Sequence, residues 1–206
     1  MSINQLPTKP LDWTQEYQLL LSSMDKEINT LESLNMRIKW AKYQTLIGIA
    51  GNFGLGAKEL LGLRWNDVIN KNHNDIFPYE YNKRKIHIYF NRSIVWLINK
   101  NHKIIDPVND HHLILHKVNS PTTAISTRQF NSTLQKITSK LKIGGPNISS
   151  HTLRKTFAYH LWKDIYDRST DGLSVVSKVL NHQDVKETQM YLSINNKQIR
   201  PTIIRF

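Results

Sequence analysis

The chain has 206 residues, enough for one domain with a hydrophobic core. It carries 28 Lys and Arg residues against 16 Asp and Glu, and the resulting net charge of +12 favours a polyanionic partner such as nucleic acid. Because the sequence contains no cysteine, it excludes disulfides, thiolate metal sites and cysteine nucleophiles.

The basic residues are spread along the whole chain. Residues 1–103 contain 14 basic and nine acidic residues, and residues 104–206 contain 14 and seven. A detachable basic tail is therefore excluded, and the folded body itself is expected to be basic. No signal peptide is recognisable at the N-terminus, and no apolar run approaches the roughly 20 residues that span a bilayer. We therefore expect a cytoplasmic protein that makes no membrane contact.

Helical spacing of apolar residues dominates the first third of the chain. Two prolines near the N-terminus predict an extended arm, which is followed by a helix over residues 13–34. A second helix is predicted over 38–49. A group of glycines then interrupts the pattern, which resumes at 58–65.

The middle of the chain changes to the period of two that is typical of strands. Residues 85–90 alternate apolar and polar side chains, and residues 93–98 and 102–108 are rich in β-branched residues. These three segments predict a small antiparallel sheet of two or three strands. Helices are expected again over 127–141, 150–166, 173–180 and 185–192. The expected fold class is α+β, mostly helical, with a small antiparallel sheet inserted between helices.

The last third contains a set of residues suited to phosphoryl transfer. His151 and Arg154 are three residues apart and share one helix face, and Tyr191 follows His182 by nine residues. A phenol with a pKa near 10 needs a base to become a nucleophile, and His151 could serve as that base. The guanidinium of Arg154 suits phosphate oxygens, and His182 can donate a further hydrogen bond. This chemistry requires no metal, and we expect no cofactor.

The His-x-x-Arg pair, the Leu-x-His that follows it and the tyrosine nine residues later resemble the catalytic domain of the tyrosine recombinases, the phage integrase family. Three further blocks resemble that family in the same order along the chain: residues 53–68, 98–108 and 126–143. The resemblance covers about residues 35–195. It implies a catalytic domain over that range, preceded by an arm and a helix at 1–34 and followed by a tail at 196–206.

The resemblance implies a covalent 3′-phosphotyrosine mechanism that uses neither metal nor nucleotide. By position, Tyr191 is the nucleophile, His151 and Arg154 form the second histidine–arginine pair of the family, and His182 is the histidine of the third block. The implied partner is double-stranded DNA, with self-association of the protein on it.

The resemblance also implies roles for several cations. Lys100 is expected on a hairpin as the general acid for the leaving 5′-hydroxyl, with Lys103 as the alternative. Arg64, Arg128 and Lys155 are expected to contact DNA. An alternative for Lys100 and Lys103 is that they are ordinary edge-strand lysines, which deter aggregation.

The sequence departs from the family pattern at Gly56, where the first block normally has an arginine. Arg64 stands eight residues later, about two helical turns away, and cannot take its place without a backbone movement. Removing one preorganised donor costs roughly 10²–10³ in rate. A further departure is that only about 35 residues precede the resemblance, so the chain resembles the short recombinases that consist of the catalytic domain alone.

Three functions remain open from the sequence. The first is a recombinase that breaks and rejoins DNA through Tyr191. The second is a DNA-binding regulator, a repressor or accessory factor of a phage or mobile element, whose catalysis is impaired at Gly56. The third is a helical RNA-binding module, which charge alone would explain. In that last case Tyr191 would be an ordinary core residue of an amphipathic helix.

Overall fold

A computed structural model describes residues 8–76, 89–166 and 172–194. A π-helical turn at Trp13–Tyr17 leads directly into helix α1. In these ranges no helix is long and apolar enough to cross a membrane. The helices and strands are α1 Gln18–Thr30, α2 Leu34–Phe53, α3 Ala57–Gly62, α4 Trp65–Val68, α5 Arg92–Ile105, β1 His116–Lys117, β2 Ser120–Ala124, α6 Thr127–Leu141, α7 Ser150–Tyr166, α8 Gly172–Leu180 and α9 Val185–Leu192.

Helix α2 is the centre of the larger hydrophobic core. From Trp40 to Phe53 nearly every residue is buried, as expected of a helix that is apolar on all sides. Helices α1, α5 and α7 all pack against it. Helix α2 begins four residues before the predicted start, because Ser33 caps it by accepting a hydrogen bond from the Met36 amide.

A close approach fixes the N-terminal turn on helix α2. A Cβ atom at Gly51 would overlap the phenol ring of Tyr17, so only glycine permits this contact. The buried Tyr17 hydroxyl donates to the carbonyl of Gly48 at 2.9 Å and accepts from Asn52. Burial raises the pKa of Tyr17, so the hydroxyl keeps its proton. The turn is thereby joined to the centre of the core.

Helix α5 replaces two of the predicted strands, because residues 93–98 and 102–108 are mainly helical. Their buried side chains recur at three- and four-residue intervals, which is the period of an amphipathic helix. Asn91 caps the helix by accepting from the Ile94 amide, and buried Asn101 donates to Gln44 of α2 at 2.9 Å. The strand prediction was wrong because β-branched content outweighed this periodicity.

The small antiparallel sheet lies further along the chain than predicted. Strands β1 and β2 pair with His116 opposite Ala124 and Lys117 opposite Ser120, around a turn at Asn119 with φ 63°. Most of the predicted strand at 85–90 lies outside the described residues, and Tyr89 forms a single antiparallel bridge with Ile76. The predicted architecture, mostly helical with a small antiparallel sheet, is confirmed.

The C-terminal helices form a second, smaller core. Phe157 and Trp162 of α7 pack with apolar residues of α8 and α9, including Val176 and Leu192. The helices predicted over 127–141, 150–166, 173–180 and 185–192 are confirmed almost to the residue. By contrast, the segment predicted as one helix over 58–65 is divided, because Leu63 and Arg64 are extended between α3 and α4.

The contact between Gly51 and Tyr17 predicts that Gly51→Ala is destabilising. The added methyl group must displace a buried ring, which costs about 1–3 kcal/mol of unfolding free energy. Urea unfolding followed by circular dichroism measures this difference. Gly62→Ala is the matched control, since a Cβ there has no atom within 4 Å. Equal stability of the two variants would contradict the packing described.

Candidate active site

The first turn of α7 presents His151 and Arg154 on one side. Ser149 starts the helix, with its hydroxyl accepting from the Thr152 amide at 3.4 Å. Arg154 reaches across to the end of α8, where its Nη2 donates to the carbonyl of Leu180 at 2.9 Å. The helix start and the arginine are thus placed against the segment that carries His182.

His182 lies just beyond α8, in the turn toward α9. Asn181 has a left-handed backbone, φ 57°, which asparagine tolerates better than most residues. The ring of His182 is oriented by α9, because its Nδ1 lies 2.7 Å from the hydroxyl oxygen of Thr188. Asp184 caps α9 by accepting from the Glu187 amide. The chain therefore turns sharply enough to bring His182 over the helix that carries Tyr191.

Tyr191 lies between the two histidines. Its ring centroid is 5.0 Å from that of His151 and 5.2 Å from that of His182, and both imidazoles meet it nearly edge to face. The tyrosine packs against the second core, and its hydroxyl oxygen is buried. The structure thus brings together four residues selected from the sequence: His151, Arg154, His182 and Tyr191.

Lys155 is a fifth member of this cluster and is turned inward. Only 4% of its surface is exposed, its ammonium lies 4.9 Å from the ring centroid of Tyr191, and it donates to the carbonyl of Thr8 at 3.0 Å. The arm is held nearby, since the Leu11 amide donates to the hydroxyl of Thr156. The DNA contact of Lys155 stays a prediction, because in this conformation its ammonium faces the Thr8 carbonyl and the Tyr191 ring.

Gly56, the position at which the family resemblance implies an arginine, adjoins Arg154. A Cβ atom at Gly56 would lie 3.0 Å from Nη1 of Arg154 and would overlap the carboxylate of Glu59. A carboxylate therefore lies against Gly56 at the place where the family pattern has a second guanidinium. The Glu59 atoms that a Cβ would meet lie at the end of a flexible side chain. An arginine at position 56 can therefore be accommodated once the Glu59 side chain rotates.

The surroundings of both histidines favour the neutral imidazole by lowering its pKa. Partial burial lowers the pKa of His151, and the charges of Lys155 and Arg154 lower it further. Burial also lowers the pKa of His182, with Arg154 acting in the same direction and Glu187 opposing it. A neutral imidazole can accept a proton, so the surroundings keep His151 competent as a base near neutral pH.

Lys100 and Lys103 are not on a hairpin, contrary to the prediction, because both belong to helix α5. The ammonium of Lys100 forms an ion pair with Asp25 of α1 and lies 4.8 Å from the ring centroid of Trp96. Lys100 therefore makes its contacts with α1 and not with the Tyr191 cluster.

Arg64, which is predicted to contact DNA, donates a hydrogen bond to the carbonyl of His111 in the loop before β1.

Arg128 is exposed near the start of α6 and lines an open groove of about 670 Å³ between α2, the hairpin and α6. Sequence reasoning did not identify the other cations of this groove, which are Lys39, Lys42 and Lys136. None of the lining residues in the described part of the chain is acidic. The spacing of 39 and 42, and of 128 and 136, is consistent with shared helix faces and could have revealed this basic surface.

No metal centre is formed by the described residues, where no three His, Asp or Glu side chains are grouped suitably. A spacing of four residues, as between His112 and His116, resembles that of a metal-ligand pair. The ring centroids of these two histidines are 6.5 Å apart. Instead, Nε2 of His116 lies 3.1 Å from the ammonium of Lys42.

Comparison with known proteins identifies the family. The sequence model described as "Phage integrase family" matches residues 14–198. This chain belongs to the phage integrase family. No curated protein matches it.

Solved structures share the integrase fold at low sequence identity. XerH recombinase in a pre-cleavage complex with its difH substrate is 20% identical with a TM-score of 0.66, over 96% of this chain and 54% of that one. XerA recombinase is 15% identical with a TM-score of 0.62, over 96% and 66%. The Tn1549 transposon integrase in complex with circular intermediate DNA is 14% identical with a TM-score of 0.60, over 96% and 65%. The chain thus spans about half to two thirds of the length of these proteins.

The lowered pKa values of His151 and His182 predict a loss of stability in mild acid. In the unfolded chain a histidine titrates at about 6.5, so below that pH the unfolded state binds more protons than the folded integrase domain. The unfolding free energy should therefore fall as pH drops through 6.5 toward the lower folded-state pKa values. Urea unfolding at a series of pH values measures this slope.

His182→Asn should make that slope shallower, because it removes one histidine whose pKa is lowered in the folded chain; His116 and His160, whose pKa values are also lowered by burial, remain. Gln183→Asn, which changes an exposed neighbouring residue that does not titrate, is the control and should leave the slope unchanged. If the wild type and His182→Asn have the same slope, the pKa of His182 is not lowered in the folded chain.

Proposed function

We propose that this chain binds double-stranded DNA and cleaves and rejoins one strand through a covalent 3′-phosphotyrosine at Tyr191. The observation that carries the proposal is the convergence of His151 and His182 on the ring of Tyr191, with Arg154 anchored beside them. The XerH and Tn1549 structures of similar fold are complexes with DNA, which supports the choice of substrate.

In the proposed step the phenol oxygen of Tyr191 attacks the scissile phosphorus, and its proton passes to a ring nitrogen of His151. The bond from phosphorus to the 5′-oxygen breaks, and the 5′-oxygen takes up a proton as the 5′-hydroxyl leaves. Arg154 and His182 stabilise the charge on the equatorial oxygens. Since the Tyr191 hydroxyl is buried, surrounding side chains must open before a phosphate can reach it.

The proton donor for the leaving 5′-oxygen is assigned to Lys100 by the family resemblance. That role requires Lys100 to leave Asp25 and approach the cluster, whereas Lys155 already lies beside Tyr191. A substrate with a 5′-bridging sulfur distinguishes the two, because a thiolate leaves without being protonated. Lys100→Met and Lys155→Met are each tested with the normal and the sulfur-containing substrate. If a lysine is the proton donor, its variant should cleave the normal substrate poorly and the sulfur-containing substrate well.

The basic groove of Lys39, Lys42, Arg128 and Lys136 is the proposed duplex-binding surface. Phosphate contacts by Lys and Arg supply most of the affinity of such proteins for DNA and make it salt-dependent. Arg64 is proposed to contribute from the neighbouring loop. One groove holds only one face of a duplex, so the proposal includes self-association of protomers on each DNA site.

A second function is favoured by Gly56. Because Gly56 and the Glu59 carboxylate occupy the region next to Arg154, the site lacks one fixed donor for the phosphate. Loss of such a donor lowers the rate by roughly 10²–10³. A chain with this defect would bind DNA as a repressor or accessory factor of a phage or mobile element and would cut it slowly.

Covalent trapping separates the two functions. The purified protein is incubated with nicked duplex fragments of its source genome and the products are resolved under denaturing conditions. An active recombinase yields a denaturant-resistant protein–DNA adduct that disappears in Tyr191→Phe. Tyr159→Phe, which changes a partly buried tyrosine of the same core, is the control and should keep the adduct. An adduct that persists in Tyr191→Phe would overturn the assignment of the nucleophile.

Gly56→Arg tests the regulator hypothesis in the same assay. If the missing donor limits cleavage, this variant should form the adduct about 10²–10³ times faster than the wild type. Gly56→Met adds a side chain of similar length without charge and should show no gain. Equal rates for the wild type and Gly56→Arg would show that Gly56 is not the limiting defect.

Charge reversal in the groove should weaken duplex binding. Arg128→Glu or Lys136→Glu is expected to lower affinity and to reduce the slope of log K against log salt by about 0.9 for each phosphate that the variant no longer neutralises. Fluorescence anisotropy with a labelled duplex over a salt series measures both quantities. Lys163→Glu, on the exposed side of α7, is the control, because it changes the net charge by the same amount outside the groove. It should lower the affinity for the duplex much less.

A further inference from the structure

Trp96 is unusual among the five tryptophans of the chain, all of which are described. Trp40, Trp65 and Trp162 are buried and Trp13 is half-buried, stacked on His160, whereas 59% of Trp96 is exposed. Exposing so large an apolar ring to water is unfavourable. When aromatic side chains of this size become buried in a complex, they contribute much of the binding energy. The ring therefore marks a surface that is suited to a partner.

Cations surround Trp96 along the exposed side of α5. Arg92, Lys100 and Lys103 line an open groove of about 470 Å³ together with Trp96, Asn99 and His73. On helix α5 the stripe from Arg92 to Lys103 extends about 16 Å. We call this groove and the ring of Trp96 the α5 surface. Its charge fits an anion rather than an apolar protein face.

A second open groove of about 710 Å³ meets the first at Arg92 and Trp96. Besides apolar side chains such as Leu21 and Ile94, it is lined by the hydrogen-bonding side chains of Gln18 and Ser22 of α1. Among the described residues its one acidic member, Asp25, is paired with Lys100. The ring of Trp96 thus stands between a cationic groove and a groove with amide and hydroxyl groups. A flexible anionic chain can cross the ring from one groove to the other.

We propose that the α5 surface binds single-stranded DNA, with a base stacked on Trp96 and phosphates held by Arg92 and Lys103. A duplex offers phosphates but keeps its bases stacked inside, so it would leave Trp96 unused. An unpaired strand presents both a π face and a phosphate every nucleotide, which matches an aromatic ring flanked by cations. Sequence preference should be weak, because every base has a face that can stack.

The α5 surface shares no residue with the Tyr191 cluster or with the basic groove beside α6. Lys100 lines this surface and is also a candidate proton donor in the proposed cleavage step, but the variants used below leave Lys100 unchanged. The proposed function and this inference can therefore fail independently. The role suited to such a site is to hold a displaced or unpaired strand near the duplex that the chain binds.

The test uses the full chain and an oligodeoxythymidylate of about 16 nucleotides. In the wild type the strand should quench tryptophan fluorescence, and Trp96→Ala should remove that quenching and weaken binding about 10-fold or more. Trp96→Phe keeps a stacking ring and should keep most of the affinity. Arg92→Glu with Lys103→Glu should also weaken binding, whereas Leu19→Ala, an equally open apolar position on α1, should not.

Several outcomes would overturn the inference. One is unchanged affinity of Trp96→Ala for the strand. Another is competition by a duplex of equal phosphate number, or by an acidic polypeptide, as effective as that of the unlabelled strand. A third is the absence of any difference in acrylamide quenching between the free wild type and Trp96→Phe, which would mean that another part of the chain covers Trp96. Loss of the Tyr191 adduct in the trapping assay has no bearing on any of these results.

Discussion

The contact between Gly54 and the ring of Phe157 joins the two hydrophobic cores of this integrase-family chain. Gly54 ends helix α2 with φ 63°, and a Cβ atom there would overlap the phenylalanine ring. Phe157 belongs to the smaller core and Phe53, just before Gly54, to the larger one. Two residues further on, the chain reaches Gly56 beside Arg154. The placement of α7 against this turn therefore decides which residues face Arg154.

The cations of the cluster act on the nearby histidine. Arg154 and Lys155 bring two cations next to Tyr191, and both lower the pKa of the nearby His151. A buried ammonium without a carboxylate partner is costly, and Lys155 is stabilised only by a carbonyl and an aromatic face among its described contacts. Under the proposed function, an incoming phosphate would supply the negative charge that Lys155 lacks among its described contacts.

Gly56 is the residue on which the choice between the two proposed functions, DNA cleavage and DNA binding alone, depends. The rest of the cluster is assembled, with Tyr191 held between two imidazoles, which argues for retained chemistry. The Glu59 carboxylate beside Gly56 argues in the other direction, since it places negative charge near the expected phosphate. Burial of the Tyr191 hydroxyl adds a requirement for rearrangement on DNA. Under the proposed function, the rate of cleavage would depend on how far the DNA-bound state supplies a donor in place of the arginine expected at position 56.

Sequence alone was sufficient to suggest the family and to group Tyr191 with His151, Arg154 and His182. Their spacings lie within helices and one turn, where a fixed number of residues corresponds to a fixed geometry, so His151 with Arg154, and His182 with Tyr191, could be paired without a structure. The surroundings of these residues depended on tertiary packing instead. Residues 93–108 read as strands from composition, yet packing on α2 makes them helical and moves Lys100 to Asp25. The burial of Lys155 depends on a carbonyl 147 residues away, and no local pattern encodes so distant a contact.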